Sequence, residues 1–333
     1  MHKTPQNIVD QFGRVHDYLR ISLTERCNLR CFYCMPEEGI ELRDKSCFMS
    51  SEEVLDIAKT FVGLGVKKIR LTGGEPLIKK DAKNVILQLG KLPVELAITT
   101  NGVLVDRFID VFKEAGIKKV NVSLDSLNEQ LFNKISRRSY FQKIKENISL
   151  LVKEGFETKI NVVVIKDVNE HEIVDFVKWT QKENVHVRFI EFMPFDGNKW
   201  EWERKVSYKK IYEIIEKEYG ANRILKIQDA KNDTSKNYRL FDGKGTFGVI
   251  ASVTNPFCDT CNRIRLTADG KIKNCLFSQS ETDLLTAHRN GVDIKSLIMT
   301  SILTKEKQRG GVGEFDQLQM DKMKNRSMIA IGG

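Results

Sequence analysis

The 333 residues, 41% of them hydrophobic, suffice for one large domain plus a smaller one, and 54 basic against 45 acidic residues give a net charge of +9. No apolar signal region follows Met1, and no stretch runs long enough without charge to span a bilayer; a membrane protein is excluded and a cytoplasmic address expected. The positive balance favours an anionic partner, but the basic residues are interspersed with acids and few aromatics, so no nucleic-acid surface is expected.

A first strand is expected over Tyr18–Leu23, followed by the cysteine-bearing segment Thr24–Cys34. Ser50 and Glu53 have the spacing of a capping box and predict a helix over Ser51–Leu64, ended by Gly65. Further strands are expected over Val66–Leu71, Val94–Thr99, Lys118–Leu124, Lys159–Ile165 and Val185–Glu191. Helices near Asp81–Leu89, Asp106–Ala115, Phe141–Glu154 and Glu170–Glu183 alternate with them, with Gly116 and Gly155 as further stops. Six such units predict an α/β fold, a partial (β/α)6 barrel over residues 1–195. Right-handed crossovers place every strand C-terminus on one edge, where Gly73-Gly74-Glu75-Pro76, Thr100-Asn101-Gly102, Asp125-Ser126 and Met193-Pro194 gather. Residues 196–333 predict a smaller C-terminal α+β domain, with a helix over Tyr208–Glu218 and short strands over Tyr238–Phe241 and Thr246–Ile250.

Seven cysteines without a secretion signal point to metal or redox use rather than disulfides. Cys27, Cys31 and Cys34 form CxxxCxxC in one loop. Three thiolates on a four-iron cluster leave one iron open to another molecule, whereas a zinc site would need a fourth ligand such as His16. Cys258, Cys261 and Cys275 form a second trio, for which the zinc alternative would recruit His288. Cys47 stands alone as an incidental thiol. Arg263-Ile264-Arg265-Leu266 alternates like a strand, placing both guanidiniums on one face, an arrangement suited to phosphate.

CxxxCxxC after the first strand, Tyr33 within it, and Gly73-Gly74-Glu75-Pro76 after the second resemble the radical S-adenosylmethionine superfamily. The second cysteine trio, the terminal Arg326-Ser327-Met328-Ile329-Ala330-Ile331-Gly332-Gly333, Phe12-Gly13-Arg14 and Phe189-Ile190-Glu191-Phe192-Met193 narrow the resemblance to the GTP 3′,8-cyclase family of molybdenum cofactor biosynthesis. That resemblance implies two [4Fe-4S] clusters, on Cys27/Cys31/Cys34 and on Cys258/Cys261/Cys275, with S-adenosylmethionine at Tyr33, Gly74, Ser123 and Met193. It implies GTP at Arg20, Lys68, Arg70, Thr99, Lys159, Arg188, Arg263 and Arg265, and catalytic roles for Arg263, Arg265 and the Gly332-Gly333 tail. It further implies a flavodoxin- or ferredoxin-type electron donor, a downstream cyclic pyranopterin monophosphate synthase, and a homodimer. Glu25 departs from an aspartate common in the family. The competing readings are a peptide-modifying radical enzyme with an auxiliary cluster and a zinc-stabilised nucleic-acid-binding protein.

Overall fold

Period-two alternation sets the strands, and six of them lie side by side, parallel and in sequence order: β1 (Tyr18–Ser22), β2 (Lys68–Thr72), β3 (Glu95–Thr100), β4 (Lys119–Ser123), β5 (Glu157–Val164) and β6 (His186–Glu191). The computed structural model describes residues 7–36, 38–40, 43–198, 200–313 and 325–332. Helices α1 (Ser51–Gly63), α2 (Ala82–Gly90), α3 (Ile109–Glu114), α5 (Phe141–Lys153) and α6 (Ile173–Lys182) occupy the expected intervals. The capping box of α1 is formed: Glu53 N donates to Ser50 Oγ at 3.2 Å and Ser50 N to the Glu53 carboxylate at 2.7 Å. Gly65, Gly116 and Gly155 end their helices with φ of 91°, 68° and 79°. The expected helix at Asp106 opens instead as a 3-10 turn, Val105–Arg107, before α3.

Within the barrel region one helix was not foreseen, α4 (Glu129–Ser136); beyond it, the helices Leu284–Arg289, Ile294–Leu303 and Met328–Ile331 were not foreseen either. Helix α4 is eight residues long, and only Phe132, Ile135 and Ser136 are buried, too short an apolar stripe to register as a helical period.

The C-terminal region contributes α7 (Tyr208–Tyr219), β7 (Ile224–Lys226), β8 (Ser235–Leu240), β9 (Thr246–Ile250), β10 (Arg263–Leu266), β11 (Lys271–Lys273), β12 (Thr282–Asp283), α8 (Leu284–Arg289), α9 (Ile294–Leu303) and α10 (Met328–Ile331). It has the expected mixed helix and strand content, but its strands do not form a sheet of their own. β9 pairs parallel with β6 and β10 parallel with β1, giving one sheet in the order β12-β11-β10-β1-β2-β3-β4-β5-β6-β9-β8-β7. The outer strands β7–β8 and β11–β12 pair antiparallel. Burial explains the merger: Phe247, Val249, Ile264 and Leu266 lie in the same core as Leu19, Ile21, Ile69 and Ile160, and each such side chain contributes roughly 1.5–3 kcal/mol when fully buried. No helix among the described residues is long and apolar enough to cross a membrane.

Candidate functional site

Alternation along the strands that buries Leu19, Ile21, Ile69 and Leu71 on one face turns the polar residues between them to the other. Register then assembles them. Arg20 stands between Arg265 and Arg70 on the neighbouring strands, Thr99 beside Asn121, Lys159 between Asn121 and His186, and Arg188 beside Asn161. All eight residues expected to bind nucleotide, the four expected to bind S-adenosylmethionine and all six clustered cysteines line one cavity of about 410 Å³. Cys47 lies apart and exposed.

The first trio follows β1, at the edge where the parallel strands end. Its loop is held from several sides. Arg30 N donates to Ser136 O at 2.9 Å and Phe32 N to Ile135 O at 3.2 Å, so the unforeseen α4 anchors it. The Arg30 guanidinium holds Cys27 O. Gly74 N donates to Thr24 O at 2.6 Å and Glu75 N to Arg26 O at 2.8 Å, so the Gly-Gly-Glu-Pro turn lies directly against the cysteine loop. Glu75 is fully buried; it accepts from Thr100 Oγ1 at 2.8 Å, Asn101 N at 2.6 Å and Leu77 N at 3.1 Å, and burial pushes its carboxyl up to about 7 against those bonds. Tyr33 OH donates to Asp125 at 2.6 Å, and Asp125 accepts a second bond from Val163 N at 2.9 Å. Burial raises Asp125 to about 6.

These thiols have the chemistry of a cluster site. Burial pushes Cys27 up to about 11 and Cys31 and Cys34 higher still, a cost that metal ligation removes by binding the thiolate. Two donors already point at Cys27 Sγ: Leu29 N at 3.4 Å and Asn101 Nδ2 at 3.7 Å. Among the described residues, no three Cys, His, Asp or Glu side chains converge as one metal ion requires. His16 does not complete the trio, because it is buried against Asp10 at 3.0 Å; His288, on α8, lies outside the cavity.

The second trio sits at the opposite edge. Cys258 and Cys261 precede β10, where the parallel strands begin, and Cys275 follows β11. Burial raises Cys261, but Arg263 and Lys305 outweigh it and hold the thiol down at about 6. Between the trios lie five strand residues of β1, at roughly 3.3 Å per residue. Gly332 reaches this space: its carbonyl accepts from Arg265 Nη1 at 3.1 Å and Thr72 Oγ1 at 3.4 Å. Gly333 lies outside the described residues.

The middle of the cavity is crowded with positive charge. Burial, then mutual repulsion, lowers Arg188 and Arg265 to about 9 and Lys159 to about 8. Burial would raise the Tyr18 phenol, yet Arg70, Arg20 and Lys68 pull it down to about 7. Arg188 is aimed by two bonds to Asn161 Oδ1, at 3.0 and 2.6 Å, and Arg70 by Tyr18 OH at 2.6 Å and Ile98 O at 2.8 Å. Such a set of held cations is built to take a multiply charged anion. Sequence reasoning passed over Asp125, Glu75, Asn101 and Asn161 as ligand-shaping groups. Asp125 and Asn101 had a signal, their position just after strands; Asn161 had none beyond alternation.

A profile described as Radical SAM superfamily matches residues 21–180, and one described as Molybdenum Cofactor Synthesis C matches residues 185–310. The chain is 46% identical over 307 residues to Molybdenum cofactor biosynthesis protein 1 of Drosophila melanogaster, covering 90% of this chain and 54% of that protein. It spans about half the length of the relatives that bear that name. It is 40% identical over 337 residues to GTP 3′,8-cyclase of Listeria welshimeri, covering 98% of this chain and 100% of that protein. Streptococcus suis SuiB bound to S-adenosylmethionine shares the fold, with a TM-score of 0.67 and 14% identity over 95% of this chain and 78% of that one.

Proposed function

The chain belongs to the GTP 3′,8-cyclase family of the radical S-adenosylmethionine superfamily, and from that premise we propose that it converts GTP to 3′,8-cyclo-7,8-dihydro-GTP for molybdenum cofactor biosynthesis. The observation that carries this reading is the placement of two cysteine trios at opposite edges of one cavity whose middle is lined by buried cations.

Cys27, Cys31 and Cys34 would hold one four-iron cluster and Cys258, Cys261 and Cys275 the other. With its cofactors bound, the site would supply hydrogen abstraction from the ribose C3′ and, for closure of the C3′–C8 bond, the one electron and one proton that the 7,8-dihydro product requires, the electron coming from an external donor. Tyr33, Gly74, Ser123 and Met193 would shape the S-adenosylmethionine pocket, with Asp125 fixing the Tyr33 ring. Arg20, Lys68, Arg70, Thr99, Lys159, Arg188 and Arg263 would hold the triphosphate and ribose, fixing C3′ relative to the radical source. Arg265, whose guanidinium donates to the Gly332 carbonyl, would orient the nucleotide beside the second trio. We assign residues 1–195 to a radical S-adenosylmethionine partial barrel that carries the first cysteine trio and residues 196–333 to a C-terminal domain that carries the second trio and the diglycine tail, a division supported by the change of profile between residues 180 and 185. A flavodoxin- or ferredoxin-type donor, a downstream cyclic pyranopterin monophosphate synthase, a homodimer and a cytoplasmic location complete the proposal.

The test incubates reduced, reconstituted protein with S-adenosylmethionine and each nucleoside triphosphate in turn. 5′-Deoxyadenosine formation that requires GTP is the expected result, with roughly eight irons per chain for two four-iron clusters. Stoichiometric zinc without a brown chromophore would overturn the reading.

A pH dependence follows from Lys159. Its folded-state value, about 8, lies below the unfolded lysine value, so between them the unfolded chain binds more protons and stability rises with pH across that window. A bound triphosphate favours the ammonium and opposes the depression. The melting-temperature gain given by GTP should therefore be larger at pH 7.5 than at pH 9.5, readable by thermal denaturation; an equal gain at both would remove Lys159 from the phosphate contacts.

A further inference from the structure

Ahead of β1, a buried network approaches the second cysteine trio from behind the cavity. Asp10 and His16 are 4% and 1% exposed. Asp10 Oδ1 accepts from Phe12 N at 2.9 Å and Arg14 N at 3.0 Å, closing a tight turn at Gly13, where φ is 75°. Its Oδ2 lies 2.5 Å from Arg14 Nε and 3.0 Å from His16 Nε2. An ionised carboxylate can only accept, so His16 carries its hydrogen on Nε2 and turns the Nδ1 lone pair the other way. Burial, then the Lys305 charge, holds His16 down at about 4, so the ring is neutral.

That lone pair faces Lys305 Nζ at 3.5 Å. Lys305 is 2% exposed, and its ammonium also lies 3.0 Å from Arg263 O and 3.5 Å from Cys261 Sγ. Three N–H donors thus meet three acceptors, one of them the Cys261 sulfur. The flanking chain is pinned as well. Arg14 Nη1 donates to Cys258 O at 2.8 Å and Lys307 O at 2.7 Å, and Nη2 to Glu306 O at 2.9 Å, locking the segment after Lys305 to the cysteine turn.

We propose that Lys305, oriented by Asp10 and His16, is a fixed positive charge hydrogen-bonded to Cys261 that raises the reduction potential of the cluster on the second trio. The inference rests on the reading that Cys258, Cys261 and Cys275 hold a four-iron cluster. A cation bonded to a ligand sulfur withdraws electron density and favours the reduced, more negative cluster. Hydrogen bonds to sulfur and net local charge are two of the levers that set such potentials, and here one side chain supplies both. Phe12-Gly13-Arg14 thereby acquires a role: it shapes the turn that aims Asp10.

The experiment is an EPR-monitored redox titration of the holoenzyme, with the couple lost in Cys275→Ala assigned to the second trio. Lys305→Met should move that couple to more negative potential and leave the other unchanged, while Lys305→Arg, which keeps the charge, should move it less. An unchanged couple in a Lys305→Met protein that retains its iron overturns the proposal. A second measurement needs no variant: wild-type holoenzyme grown on lysine labelled with 15N at Nζ should show a nitrogen coupling on the second-trio cluster by pulsed EPR, and its absence also overturns the proposal. Iron content separates the two levels of inference. About four irons per wild-type chain would defeat the two-cluster reading itself, whereas about eight with no coupling would defeat only the role of Lys305.

Discussion

Alanine at Gly74 is expected to abolish S-adenosylmethionine cleavage, although it removes no ligand and adds a single methyl group. A Cβ built at Gly74 would lie 2.2 Å from Arg26 O, 2.6 Å from Arg26 C and 2.9 Å from Glu25 O. All three atoms are backbone, and Arg26 immediately precedes Cys27, so relief requires displacement of the cysteine loop itself. A displacement of about 1 Å in a positioning element costs on the order of 10²-fold in rate, and here the ligand geometry moves with it. Iron should fall from about eight toward four per chain while the second trio stays loaded, and 5′-deoxyadenosine should fall by at least the same factor of about 10². Gly116→Ala is the control: nothing lies within 4 Å of its Cβ, and only its φ of 68° is strained, at roughly 1–2 kcal/mol. It should lower the melting temperature and keep the iron. A Gly74→Ala enzyme with full iron and normal turnover would show that the turn does not hold the loop.

Deleting Gly332 and Gly333 should have the next largest effect, through substrate placement. Gly332 has φ of 82°, and a Cβ there would sit 2.6 Å from Ser22 Cβ and 3.1 Å from Thr72 Oγ1. Its carbonyl is an acceptor for Arg265, on the strand face that carries Arg20 and Arg263. Without the tail, Arg265 loses a fixed partner and the guanidinium is free to leave its place. Iron content should remain at the wild-type level, while GTP-dependent turnover falls on the order of 10²-fold. Normal turnover in the truncated enzyme would exclude the tail from the reaction.

Local signals made much of this legible. The six barrel strands follow from β-branched alternation, and the helix stops at Gly65, Gly116 and Gly155 from the left-handed turn each supplies. The cysteine trios were readable as donor sets because ligand spacing is local. What sequence could not carry is pairing across distance. Thr246–Ile250 reads as a strand, but nothing in its period says that it lies beside β6, nor that Arg263–Leu266 lies beside β1. Lys305 is equally silent, a lysine just past a helix whose meaning comes from Asp10, His16 and Cys261, all distant in sequence.

The pairing of β10 with β1 also bears on how the molecule comes into being. Tyr18 meets Arg263 across most of the chain, so during synthesis the strand that precedes the first cysteine trio waits with one edge unpaired until the last third emerges. An N-terminal fragment would expose that edge, a template for aggregation, and would lack β9 on the other side. The hydrogen bonds that hold the cysteine loop come from Gly74, Glu75, Asn101, Ile135 and Ser136, so what waits for β10 is the wall that completes the cavity and not the loop's own scaffold.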